Sequence, residues 1–142
     1  MKVNVVNKSN HRLPEYATEK SAGLDLKANI SEPITIRPMQ RVLIPTELYM
    51  AIPDGYTLLV CSRSGLALKN GLCVLNSPGV VDSDYRMSVG VILANLSDVP
   101  YLVNPGDRVA QAILVKFEQI EWNEVKSLDE TDRKGGFGST GK

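Results

Sequence analysis

Short apolar or alternating runs, each closed by a glycine or proline turn, recur along most of the chain, and they constrain its fold more than any other feature. The period of two predicts strands near Val3–Val6, Ile34–Arg37, Val42–Met50, Thr57–Cys61, Cys73–Leu75, Gly79–Val81, Val89–Asn95, Tyr101–Val103, Val109–Lys116 and Ile120–Val125. "IRPMQ", "IPDGY", "NSPG", "SDVP" and "NPGD" supply the turns between them. Many short strands of this kind predict an all-β sandwich or barrel. With 142 residues, one domain with a well-buried core is expected. No repeat of solenoid or propeller type is visible.

One stretch departs from the pattern. "SRSGLALKNG", residues 62–71, offers Ser64 as a helix cap, helix-forming "LALK", and Gly71 where a left-handed residue belongs. It predicts a helix of one or two turns. Arg63, Ser64 and the Gly65 backbone N–H at its start would suit an anion, although a plain connector with a satisfied cap reads equally well.

Composition narrows the function classes. The formal net charge is zero and no basic run exists, so a nucleic acid is not the expected partner. A small polyanion needs only a few local cations. No apolar run approaches a membrane span, and "MKVNVVNKSN" has no signal-like apolar segment. Cys61 and Cys73 read as reduced, buried thiols rather than a disulfide framework. The single histidine, His11, leaves no cluster for a His/Cys zinc site and reads as a surface residue. Any catalysis is therefore expected to run on carboxylates and a hard metal.

The densest stretch is "NSPGVVDSDYR", residues 76–86. Two valines begin what reads as a buried strand, and strand alternation would put Asp82 and Asp84 on one face with Ser83 opposite. A carboxylate leaving a buried run is costly unless used or paired. The plain alternative is a hairpin tip with solvated acids and an Asp–Arg86 pair. Beyond Val125 the apolar rhythm fades. "SLDETDRKGGFGSTGK" reads as a flexible tail whose Phe137 could stack on a ring. Gly136–Lys142 matches the first seven positions of the P-loop pattern, but without the strand and helix that fix such a loop around phosphates.

Five stretches in order, "SAGLDLKA" (21–28), "SRSGLALKNG" (62–71), "NSPGVVDSDYR" (76–86), "PGDRVAQAIL" (105–114) and "GGFGSTG" (135–141), resemble the five motifs of the homotrimeric dUTP pyrophosphatase (dUTPase) family. The resemblance covers most of the chain. It implies a β jelly-roll homotrimer with active sites at subunit interfaces, a β domain over residues 1–128 and a lid tail over 129–142. It implies hydrolysis of dUTP to dUMP and pyrophosphate with Mg²⁺, which keeps uracil out of DNA and supplies dUMP for thymidylate synthesis. The implied location is cytoplasmic, or nuclear in a eukaryotic or viral setting.

The resemblance also assigns residues. Asp82 matches the water-activating carboxylate. Asn76 and the backbone of the hairpin, with Gly79 and Val81, would read the uracil edge, and Tyr85 would pack on the deoxyribose and exclude a 2′-hydroxyl. Arg63, Ser64, Gly65 and Gln111 would hold the phosphates. Asp25 resembles the acid that meets Mg²⁺ through water. Asp84, Asp107 and Arg108 resemble structural residues. In the tail, Phe137 would stack on uracil while Arg133, Gly138, Ser139 and Thr140 contact the γ-phosphate; either Arg133 reaches it through a shorter tether or Lys134 shares its role.

Three departures stand out. Ser62 replaces the family's usual proline, Met87 and Ser88 replace a glycine and an acid, and Arg133 sits four residues before Phe137 instead of five. A glycine needing positive φ at position 87 would leave Met87 strained. A dCTP deaminase is the nearest rival enzyme, but it would want a glutamate by the hairpin, and none occurs between Val60 and Glu118. The rival from another class is a dUTPase-like scaffold that binds a nucleotide or partner without turnover.

Overall fold

The computed structural model describes residues 1–133, 135 and 136. Its strands are β1 (Asn4–Asn7), β2 (Leu24–Lys27), β3 (Ile34–Ile36), β4 (Arg41–Ala51), β5 (Tyr56–Cys61), β6 (Leu72–Val74), β7 (Gly79–Val81), β8 (Ser88–Asn95), β9 (Tyr101–Val103) and β10 (Arg108–Lys116). The helix α1 spans Ser64–Asn70 between β5 and β6. One four-stranded sheet has the order β1-β4-β8-β6, a second has β2-β10-β5-β7, and β3 pairs with β9. Every ladder is antiparallel. The result is the β-barrel, jelly-roll architecture.

The period of two does its work in the long strands. Ile44, Thr46 and Leu48 of β4 point inward, as do Val89, Val91 and Leu93 of β8. They meet Leu26, Leu58, Val60, Ala110 and Ala112 from the second sheet in one cluster. Removing that apolar surface from water is the main stabilising term, at about 25 cal/mol per Å². Asn95 is fully buried at the end of β8. Its amide donates to the Ile36 and Val99 carbonyls at 2.9 and 2.8 Å, and its Oδ1 accepts the Ser97 N–H and hydroxyl at 2.9 and 2.7 Å.

The structure corrects several sequence expectations. β2 was not among the predicted strands, although Leu24 and Leu26 alternate with Asp25 and Lys27. Ile120–Val125 forms no strand, because it finds no ladder partner in this chain; Ile120, Trp122 and Val125 are exposed. α1 starts at Ser64, so Arg63 is the N-cap, and no side chain caps it. Gly71 closes the helix in the left-handed region as expected, at φ 64°, with its N–H turned back to Ala67 and Leu66. The cysteines are free and half-buried. Among the described residues, no helix is long and apolar enough to cross a membrane.

Candidate active site

The second sheet carries nearly all the candidate residues, in two groups. The first surrounds β7, the free edge of its sheet. β7 pairs on one side only, through Gly79–Val60, Val80–Leu59 and Val81–Leu58, so part of its backbone N–H and C=O groups faces outward unpaired. Beside this edge lies a cavity of about 160 Å³ lined by Val60, Asn76, Gly79, Val80, Val81, Tyr85, Val89 and Gly90. That is about half the smallest usual drug-sized pocket, roughly 300 Å³, and suits one ring rather than a nucleotide. Gly79 keeps it open: a side-chain carbon there would sit 3.1 Å from Asn76 Nδ2 and 3.4 Å from Val60 Cβ. The structure thus places Asn76, Gly79, Val81 and Tyr85, candidates of the sequence, around one cavity.

The strand ends sooner than alternation suggested. Asp82–Tyr85 is a turn, with the Tyr85 N–H on the Asp82 carbonyl at 3.2 Å. Asp82 and Asp84 are both exposed, and Val80 is exposed rather than buried because β7 is an edge. The cost of a buried carboxylate thus does not arise within this chain. Arg86 pairs with neither aspartate; its Nη1 donates to the Ser83 and Tyr85 carbonyls. Tyr85 is steered by its hydroxyl, which donates to the Ser88 carbonyl at 3.1 Å. Met87 is exposed and is not among the positive-φ residues, so the strain expected of it is absent.

The second group lies across the other end of the sheet. Asp25 of β2, Gln111 of β10 and Cys61 of β5 stand side by side in register. The chain then leaves β5 through Ser62 into Arg63. Arg63 Nε forms an ion pair with Asp25 Oδ1 at 2.8 Å, and its Nη1 donates to the Arg108 carbonyl at 3.0 Å. Arg108 Nη1 holds the other Asp25 oxygen at 3.1 Å. Both members of the Asp25–Arg63 pair are three-quarters sheltered, at 26% and 25% exposure, whereas Arg108 is 57% exposed. Arg63 Nη2 makes no hydrogen bond among the described residues, which leaves one edge of the guanidinium for a ligand. Gln111 Nε2 donates to the Ser62 carbonyl at 2.9 Å. Ser64 and Gly65 are exposed on the first turn of α1.

Sequence reasoning did not single out Tyr101 of β9. Burial pushes its phenol up, Asp107 adds to the effect and Arg63 opposes it, so the ring stands near this group. It also gave no role to the Ser62 side chain, and Gly23, beside Gln111, was visible only as part of a motif. His11, expected at the surface, is part-buried with Nε2 3.2 Å from the Ala28 carbonyl. Asp107 caps its own turn, accepting the Asn104 N–H at 2.8 Å, and Arg108 braces Asp25; both are structural contacts.

Within one chain the two groups do not converge. Asp82 follows Val81, which faces Leu58, while Asp25 is level with Cys61 and three strands away. Strand rise and spacing put Asp82 roughly 20 Å from the Asp25–Arg63 pair. A triphosphate extends only a few ångströms past its α-phosphorus. Arg133 is exposed, with Nε on the Gly135 carbonyl at 3.0 Å. Lys134, Phe137, Gly138, Ser139, Thr140 and the P-loop match lie outside the described residues.

Comparison with known proteins bears on these groups together. A profile of the dUTPase family matches residues 9–141. The deoxyuridine 5'-triphosphate nucleotidohydrolase of Finegoldia magna is 49% identical over 142 residues, covering 99% of both chains. Its namesake from Fusobacterium nucleatum is 50% identical over 143 residues, covering 100% of this chain and 98% of the other. A variant of the Staphylococcus bacteriophage 80alpha dUTPase solved with dUpNHpp superposes with a TM-score of 0.86 at 25% identity, over 99% of each chain. The dUTPase of phage phi11, which coordinates a structural Mg(II) ion, has the same fold, at TM-score 0.81 and 24% identity over 92% of this chain and 100% of that one. The ordered motifs, the edge-strand pocket and these relatives lead to one conclusion: the chain belongs to the dUTPase family.

Proposed function

We propose that this enzyme hydrolyses dUTP in sites assembled between the subunits of a homotrimer, with the base pocket of one subunit set against the phosphate group of another. The products are dUMP and pyrophosphate. The observation that carries the shared-site reading is the separation of roughly 20 Å between Asp82 and the Asp25–Arg63 pair in one chain. Neither group alone can hold a whole triphosphate and attack it.

Each residue then has a task its surroundings suit. The outward-facing backbone of β7 and the Asn76 amide meet the uracil edge. Cytosine, with donor and acceptor exchanged, would leave those groups unpaired, which costs more than a lost contact. Tyr85, fixed by its bond to Ser88, lies under the sugar and leaves no space for a 2′-hydroxyl. Asp82, exposed on its turn, takes a proton from a water as that water attacks the α-phosphorus in line with the leaving pyrophosphate. Arg63 Nη2, Ser64, the Gly65 N–H and Gln111 bind phosphate oxygens. The tail, residues 129–142, closes over the site, with Phe137 on the base and Arg133, Gly138, Ser139 and Thr140 at the γ-phosphate; closure excludes water and opening releases product.

The family and the phi11 neighbour point to Mg²⁺. No group of three or more His, Cys, Asp or Glu gathers among the described residues, and both Asp25 oxygens already face guanidinium nitrogens, at 2.8 and 3.1 Å. Direct ligation does not fit. Contact through metal-bound water does, because two of the roughly four lone-pair sites of a carboxylate remain. When bound, the ion supplies charge to the phosphate oxygens. We place the reaction in the cytoplasm, where free thiols such as Cys61 and Cys73 persist.

A panel of nucleoside triphosphates assayed for pyrophosphate, with and without Mg²⁺, tests the substrate. Release from dUTP alone is expected; equal release from UTP or dCTP, or ammonia from dCTP, would refute it. Complementation tests the assembly. Chains lacking residues 133–142 are unfolded and refolded with Asp82→Asn chains. Recovered activity is expected if tail and Asp82 come from different subunits. An inactive mixture, with mixed trimers confirmed by mass, would rule out that geometry.

A further inference from the structure

We infer that the Ser62 hydroxyl is a positioning group for triphosphate binding, tying the phosphate-binding segment to the strand that feeds the base pocket. The inference rests on the phosphate role proposed above for Arg63, Ser64, Gly65 and Gln111.

Ser62 is the first residue after β5 and the last before Arg63. Its Oγ accepts the Val74 N–H at 2.8 Å, and its carbonyl accepts Gln111 Nε2 at 2.9 Å. One half-buried residue therefore holds three segments: the start of α1, β6 and β10. The helix itself holds its start weakly, because it has no side-chain cap and no fully buried residue, and only the partly buried Leu66 of its first turn packs on the core. Arg63 is braced by Asp25 and the Arg108 carbonyl, but Ser64 and Gly65 have no such brace. Their place depends on how the chain leaves β5, and the Ser62–Val74 bond sets that.

Val74 also leads, through Leu75, into Asn76. Leu75 is fixed by its N–H to the Ile92 carbonyl at 2.8 Å, so β6 stays anchored to β8 when the hydroxyl is removed. The freed partner is the 62–65 segment. Gln111 follows it, since the Ser62 carbonyl is its acceptor. Loss of the hydroxyl should therefore weaken contacts to the β- and γ-phosphates and spare the base pocket.

Ser62→Val and Ser62→Thr form the decisive pair, having the same shape with and without the hydroxyl, and Ser62→Ala supports them. Equilibrium affinity for dUpNHpp and for dUMP is measured in each variant, with trimer mass and thermal unfolding alongside. Val and Ala are expected to lose about tenfold in dUpNHpp affinity, the worth of one well-placed hydrogen bond, while dUMP stays within about twofold and Thr restores the parent value. A general loss of structure would weaken both ligands together. Equal loss for both ligands, or parent-like dUpNHpp binding by Ser62→Val, would overturn the inference. Arg63→Ala and Gln111→Ala separate it from its foundation. If they weaken dUpNHpp binding and Ser62→Val does not, the positioning role alone fails. If none of them matters, the phosphate assignment fails and the inference with it.

Discussion

Replacing Gly23 with alanine should damage the phosphate group from a position that touches no substrate. A Cβ at Gly23 would fall 2.5 Å from Gln111 Oε1 and 3.4 Å from its Cδ, well inside contact distance. Gly23 does not need positive φ, so the backbone itself tolerates alanine. The clash is relieved only by turning the Gln111 amide, which breaks its 2.9 Å bond to the Ser62 carbonyl. That bond is neutral and part-buried, so its loss costs about 1 kcal/mol of stability, a few degrees in Tm. The functional cost is larger. A hydrogen bond to a charged phosphate is worth roughly 1.5–3 kcal/mol, or about ten- to a hundredfold in kcat/KM for dUTP. Initial rates of pyrophosphate release read it directly. The control is Gln111→Ala, in whose background the clashing amide is gone and the Cβ of residue 111 stays at an ordinary 3.5 Å from the new methyl group. The effect of Gly23→Ala should then disappear. If alanine at 23 costs as much without Gln111 as with it, or if the single variant keeps full kcat/KM, the coupling is refuted.

Asp82→Asn is expected to abolish pyrophosphate release while dUTP affinity stays within about tenfold, because the carboxylate acts on water; near-normal turnover would remove Asp82 from its role. Tyr85→Ala should raise kcat/KM for UTP relative to dUTP by on the order of a hundredfold, and an unchanged ratio would show that the ring does not read the sugar. Asn95→Ala should destabilise the fold by about 3 kcal/mol, since it strands the buried Ile36 carbonyl and removes the partner of the Ser97 N–H and one donor to the Val99 carbonyl. Urea unfolding at fixed protein concentration measures this, and a change below about 1 kcal/mol would mean water replaces the amide.

Much of the fold is legible because strands declare themselves locally. The alternation in Val42–Met50 and Val89–Asn95 marks which side chains enter the core, and the turn residues mark where each run stops. The motifs likewise identify the candidate residues, since Asn76, Gly79, Val81 and Tyr85 are neighbours along the chain before they line a cavity. What a single run cannot state is whether a partner strand exists. Ile120–Val125 has the right residues and no ladder in this chain, whereas Leu24–Lys27 has only four residues and is a strand because it pairs with β10. Nor can local pattern show that β7 is an edge, which exposes Val80 and frees the backbone proposed to read a base. The ion pair from Asp25 to Arg63, and the Ser62 bond to Val74, join residues far apart in sequence, so only tertiary packing brings them together. The distance between Asp82 and that ion pair is of the same kind. Sequence determines which groups are present, but strand order and register decide how far apart one chain holds them.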